Sequence, residues 1–132
     1  MLCHEAIAAL EAAGLDPMVG FLHQHRWGRP SLALDLMEEF RPMTVDVAVL
    51  RCVATGQIRP EQFSTEPDTG SRMGEDAKYV FLAAYERRML TLVTHRTLGR
   101  RVSLRVAVHL QAKMLARHLL DPGEPYHAMR WK

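Results

Sequence analysis

The chain has 132 residues, 48% of them apolar and 24% charged, which is enough for one domain with a sizeable core and matches the ordinary balance of a soluble globular protein. No apolar run approaches the ~20 residues of a membrane span, and the N-terminus lacks the basic-then-apolar order of a signal peptide, so the expected setting is cytoplasmic. The net charge of +2 divides unevenly: residues 1–50 carry three Lys/Arg against seven Asp/Glu, and residues 51–132 carry fourteen against eight. An acidic half beside a basic half suits a metal site next to a polyanion-binding face, although surface charge is uneven by chance in many proteins. The two cysteines, Cys3 and Cys52, read as thiols in a reducing compartment and would pair only if the fold brought them together.

Residues 2–13 are rich in Ala, Leu and Glu and predict a helix striped by Leu2, Ala6 and Leu10, stopped by Gly14 and the following Asp16-Pro17. The chain opens almost directly into this helix, which is the expectation for a piece of a longer architecture. Residues 19–30 are irregular, broken by Gly20, Gly28 and Pro30. Ser31 is a candidate cap for a helix running to about Phe40, with Pro42 ending it. Thr44 is a second candidate cap, for a helix with Val45, Val49 and Val53 inward and Gly56 as its stop. Residues 57–74 predict a long connection, and residues 75–95 a longer helix carrying Val80, Phe81, Ala84, Tyr85 and Leu92. After Gly99, Ser103 caps a last helix striped by Leu104, Val108, Leu115 and Leu119, followed by a short aromatic tail over residues 126–132. No strand alternation of any length stands out, so the expected fold class is all-α, with residues 1–132 forming one domain.

The chemistry concentrates around His23 and the helix that follows it. Asp35 and Glu38 lie three apart, so their carboxylates project from one face, and Glu39 lies on a neighbouring one. Three carboxylates within five residues repel unless a cation neutralises them, and a histidine nitrogen with carboxylate oxygens suits Mn²⁺, or Mg²⁺ with more water in its shell. On spacing alone such a group is more often solvated surface, and a lone histidine more often structural. His4 and His118 read as surface residues. No close-spaced Cys/His set suggests zinc, and no glycine-rich phosphate loop or nucleophile elbow is present.

Sequence motifs shift that balance. The run Gly14-Leu15-Asp16-Pro17 followed by Gly20-Phe21-Leu22-His23, then Arg29-Pro30-Ser31-Leu32-Ala33-Leu34-Asp35-Leu36-Met37-Glu38-Glu39-Phe40-Arg41-Pro42, resembles the family of CRISPR-associated protein 1. Gly99-Arg100-Arg101-Val102-Ser103, Gln111-Ala112 and Tyr126 with Arg130-Trp131 resemble its C-terminal pattern, so the likeness covers nearly the whole chain. It implies a DNA endonuclease and integrase of CRISPR spacer acquisition, working by metal-dependent transesterification on spacer or branched DNA. The family architecture has an N-terminal β-domain, absent here, and a helical C-terminal domain holding a glutamate, a histidine and an aspartate around one divalent ion. His23 falls on the family histidine, Asp35 on a family acidic position and Glu38 on a second; of the two acids Asp35 is the expected closer ligand. The family glutamate lies upstream of the segment matched here, so a fragment without it is expected to bind metal weakly. The resemblance also implies CRISPR-associated protein 2 as partner and a homodimer in the full-length form. A noncatalytic DNA- or partner-binding remnant of the same domain is the alternative reading.

Arginines supply the expected DNA contacts. Arg87, Arg88, Arg96, Arg100, Arg101 and Arg105 lie within nineteen positions with one acid, Glu86, beside them. Guanidinium groups grip phosphate oxygens and release counterions, positioning a duplex without reading its sequence. His25, Arg26, Trp27 and Arg29 sit in the loop next to the expected metal, where Trp27 is placed to stack on an unpaired base.

Overall fold

The computed structural model describes residues 1–24, 26–66 and 70–129. His25 and the Arg130-Trp131 motif therefore lie outside the described residues. Five helices and two hairpins follow one another: α1 (Leu2–Ala12), α2 (Ser31–Phe40), α3 (Val45–Ala54), β1 (Phe63–Glu66), β2 (Gly70–Met73), α4 (Glu75–Met89), β3 (Leu92–His95), β4 (Arg100–Ser103) and α5 (Leu104–Leu120). Among the described residues no helix is long and apolar enough to cross a membrane.

The main core lies between α1, α2 and α5. Leu2, Ala6 and Leu10 from α1 meet Leu32, Ala33, Leu36 and Phe40 from α2 and Leu104, Ala107 and Val108 from α5, with Tyr85 and Met89 closing it from α4. A smaller cluster of Cys52, Ile58, Ala77 and Ala84 joins α3 to α4. The two cysteines are free, Cys52 buried and Cys3 partly so.

The all-α expectation is corrected by two antiparallel hairpins. β1 pairs with β2 in the register Phe63 to Met73, and β3 with β4 in the register Leu92 to Ser103. Each strand has four residues, so inward positions occur only twice per strand, as with Val93 and His95 on β3, and that is too short to stand out as alternation. The helix expected over residues 75–95 stops at Met89, where Thr91, Val93 and Thr94 favour extended backbone, and Gly99 at φ +62° turns the second hairpin. The inward face of α3 also differs from expectation: Ala48 and Cys52 are buried, whereas Val49 and Val53 are exposed.

Capping follows the sequence at one helix only. Ser103 accepts the Val106 N–H at 3.3 Å, as expected. Ser31 does not cap α2; its hydroxyl donates to the Gln24 carbonyl at 3.1 Å, and the Pro17 carbonyl accepts from the Leu32 and Ala33 N–H groups at 2.9 and 3.2 Å. The turn after α1 is thereby fastened to the start of α2. Thr44 likewise makes no cap bond and donates to the Phe40 carbonyl at 2.7 Å.

Two polar ties fix the bundle. Arg105 on α5 bonds Glu5 on α1 at 2.8 Å and Glu86 on α4 at 2.9 Å, joining three helices through one guanidinium. Glu39 on α2 accepts from the Gln111 side chain at 3.0 Å, the Tyr126 hydroxyl at 2.5 Å and the Met129 N–H at 2.8 Å. That network seats the C-terminal tail against α2 and α5. Glu39→Ala strands the Tyr126 hydroxyl and the Met129 N–H, while the buried Gln111 amide keeps the Tyr126 oxygen and the His127 carbonyl as acceptors. It is expected to cost about 2–4 kcal/mol in urea unfolding and to release protection of the Met129 amide in hydrogen exchange.

Candidate functional site

Residues 21–23 form a tight bend whose backbone turns its N–H groups toward the first turns of α2. Asp35, one turn into that helix, collects them: Phe21 and Leu22 donate to Oδ2 at 2.6 and 3.0 Å, and His23 donates to Oδ1 at 3.0 Å. The His23 ring adds a fourth contact, Nδ1 to Oδ1 at 2.5 Å. Gly20 makes this approach possible, because a Cβ there would stand 2.7 Å from the Ser31 backbone and 2.9 Å from Asp35 Oδ2.

The electrostatics assign the proton in the His23–Asp35 contact. Burial alone would raise the Asp35 pKa, but the His23 ring and the N–H groups of Leu22, Phe21 and His23 together outweigh it and hold the carboxyl below its ordinary range. An ionised carboxylate only accepts, so Nδ1 carries the hydrogen, and of the two neutral tautomers the contact selects the one whose Nε2 keeps its lone pair. The Asp35 side chain is 9% exposed and that of His23 27%, so the carboxylate is sealed beneath the bend while the ring edge still meets solvent. This is the arrangement by which proteins present a histidine to a metal: the far nitrogen free, the near one held by a carboxylate.

The two acids of α2 stand in different surroundings. Both Asp35 oxygens are spent on the bend and on His23. Glu38, one turn further, is 46% exposed, with only a 3.6 Å approach from Arg41 Nη1. It is the open carboxylate next along the helix. Glu39 faces the tail network instead. Among the described residues no three His, Cys, Asp or Glu side chains are grouped to enclose a metal ion.

The arginines separate into exposed and engaged groups. Arg26 and the fully exposed Trp27 stand out from the loop after His23, with Arg29 half-buried beyond them. Phe21 and Leu22 are exposed as well, on backbone that Asp35 holds in place. Arg96, Arg100 and Arg101 are exposed on the second hairpin. Arg105 is committed to Glu5 and Glu86. Arg88 is half-buried, its Nε donating to the Met43 carbonyl at 2.7 Å. Arg87 and Arg88 line a groove between α3 and α4 that also contains Arg51, a residue whose place in the exposed-looking sequence of α3 gave no sign of it.

The family model described as CRISPR associated protein Cas1 matches residues 1–87. The chain is 36% identical over 132 residues to a CRISPR-associated endonuclease Cas1 of Chlorobaculum tepidum, covering all of this chain and 38% of that protein. It is 44% identical over 119 residues to a CRISPR-associated exonuclease Cas4/endonuclease Cas1 fusion of Geobacter sulfurreducens, covering 90% of this chain and 21% of the fusion. Among solved structures, a casposase bound to integration product superposes with a TM-score of 0.87 at 25% identity, over 99% of this chain and 38% of that one. A CAS1 protein from Thermotoga maritima superposes with a TM-score of 0.81 at 32% identity, over 91% and 36%. The chain thus spans well under half the length of these relatives.

Two substitutions test the site's construction. Asp35→Ala leaves three N–H donors and a ring nitrogen unmatched and is expected to cost about 3 kcal/mol, with amide exchange of residues 21–23 accelerating more than that of the core. Because the Asp35 pKa is lowered on folding, its contribution is present above the ordinary carboxylate pKa and is lost as pH falls through the lower folded value. Gly20→Ala forces the bend off α2 and should accelerate exchange over the same residues, read by the same measurement.

Proposed function

Since this chain belongs to the family of CRISPR associated protein Cas1, we propose that it forms part of a divalent-metal-dependent DNA endonuclease and integrase acting in CRISPR spacer acquisition. The observation that supports this most is the His23–Asp35 pair with the open Glu38 on the same helix. The donor set suits Mg²⁺ or Mn²⁺: one imidazole nitrogen and one hard carboxylate, with the remaining positions left to water, phosphate oxygens and the further acidic ligand that the family resemblance implies. His23 Nε2 and Glu38 are the ligands proposed from this chain, and Asp35 is a positioning residue. A bound divalent ion would supply charge to offset the build-up on the phosphate under attack and would lower the pKa of an attacking 3′-hydroxyl.

The chain's own residues have definable tasks around that chemistry. Asp35 keeps Nδ1 protonated, which fixes the tautomer and the ring plane and makes Nε2 the better donor. Arg26 and Arg29 stand in the loop next to His23, where guanidinium groups would hold phosphate oxygens in a fixed orientation. Trp27 offers a stacking face for an unpaired base at a strand end. On the second hairpin, Arg96, Arg100 and Arg101 would add sequence-independent contacts to the backbone. Arg105 is left out of this set, because releasing it would break the tie between α1, α4 and α5. The substrate proposed is spacer or branched DNA. CRISPR-associated protein 2 and a second copy of the full-length protein are the proposed partners, on the strength of the family resemblance.

The test is nicking and strand transfer on a branched DNA with Mn²⁺, with and without a separately supplied segment carrying the family glutamate. Activity is expected in the mixture, lost on His23→Ala, reduced about 10–100-fold by Asp35→Asn, and abolished by chelation. Activity that persists in His23→Ala, or in the presence of a chelator, contradicts the reading. Duplex binding without activity in the mixture would establish the noncatalytic remnant instead.

A further inference from the structure

The groove between α3 and α4 holds a concentration of positive charge that the site at His23 does not explain. It has a volume of about 260 Å³ and is lined by Arg51, Arg87, Arg88, Gln57, Thr91 and the buried Cys52, among other residues. No carboxylate lines it among the described residues. Part of this has an ordinary explanation. Arg51 and Arg87 lie in the last turns of α3 and α4, where the helix dipole favours cations, and Arg88 is anchored on the Met43 carbonyl. Those causes act on each residue singly. They do not account for three arginines lining one recess, where burial and then the nearby Arg51 charge both press the Arg88 pKa downward. Like charges held together in a partly enclosed space are stabilised by an anion placed among them.

We propose that this groove is a binding site for a phosphate group, separate from the metal site, and that its natural occupant is a backbone phosphate of bound DNA. The inference rests on the DNA-binding part of the reading above and not on its metal chemistry. Size favours a backbone phosphate over a whole nucleotide, since the groove falls below the roughly 300–1,000 Å³ of pockets that enclose small molecules. Planar guanidinium groups suit phosphate oxygens two at a time, and the Gln57 amide and Thr91 hydroxyl add neutral polar groups at the same recess. The Arg88 guanidinium is fixed through its Nε on the Met43 carbonyl, with the exposed Arg51 and Arg87 lining the same groove.

The experiment measures binding of the chain to a short fluorescent duplex by anisotropy, in EDTA, across a series of salt concentrations. Arg51→Ala and Arg87→Ala are expected each to weaken binding and to flatten the slope of log affinity against log salt by about 0.9, the double variant by about twice that. Arg51→Lys should restore most of the slope. Because EDTA removes any divalent ion from every arm, failure of the metal reading leaves this measurement untouched, and the two are told apart. Inorganic phosphate, titrated against thermal unfolding of the wild type and of the double variant, distinguishes the sources. A slope lost in the variants assigns the groove to backbone phosphate. An unchanged slope with phosphate protecting only the wild type assigns it to a free phosphate ester. An unchanged slope with no protection, or a wild-type chain that neither binds duplex nor responds to phosphate, overturns the proposal.

Discussion

One carboxylate organises the functional end of this domain. Asp35 receives three consecutive backbone N–H groups and a ring nitrogen, so a bend with no regular secondary structure is held as firmly as a helix end. Such concentration of donors on one acceptor is favourable because the carboxylate is ionised and largely covered, where charge-assisted hydrogen bonds are strong and an unmatched one is costly. The consequence travels outward along the chain. Gly20 must lack a side chain, His23 must present Nδ1 inward, and Phe21 and Leu22 must display their side chains to the outside. The geometry of the proposed metal ligand is therefore set by a residue that need never touch the metal.

The rest of the fold serves to hold α2 still. Its apolar face is buried against α1 and α5, the Pro17 carbonyl closes its first turn, and Glu39 ties its last turn to the tail through Gln111 and Tyr126. Three successive acids on one helix thus have three different lives. Asp35 is partly buried and structural to the bend, Glu38 is open to solvent, and Glu39 is structural to the tail. Arg105, bound to two glutamates from two other helices, plays the same part on the far side of α5. Charged residues that look alike along the sequence are sorted by what each one meets in space.

That sorting explains what the sequence did and did not disclose. The stripes on α1 and the first turns of α5, the breaks at Gly14 and Gly56, and the Ser103 cap follow from period and capping chemistry and were legible. The pairing of Val93 with Val102 was not, because four-residue strands leave too few alternating positions to be told from the end of a helix. The motif shared with a known family singled out His23, Asp35 and Glu38 as expected metal ligands, but not that Asp35 would bond the His23 ring. Which acid would be free was not legible, because it depends on where three N–H groups of a loop point. Arg51 escaped notice for the same kind of reason: one exposed arginine on a helix means little until α4 brings two more beside it. The Gln111 and Tyr126 motif positions, by contrast, acquire a physical account in the network around Glu39.

The claim on which the account turns is that Asp35 fixes His23 with its proton on Nδ1 and a bare Nε2. Long-range proton–nitrogen correlation spectra of the histidine rings measure this directly at neutral pH. The account predicts a protonated Nδ1 and an unprotonated Nε2 for His23, with Mn²⁺ broadening that ring before the other histidines and Asp35→Asn weakening the preference. A His23 ring protonated on Nε2, or one exchanging between tautomers and indifferent to Mn²⁺, would contradict it.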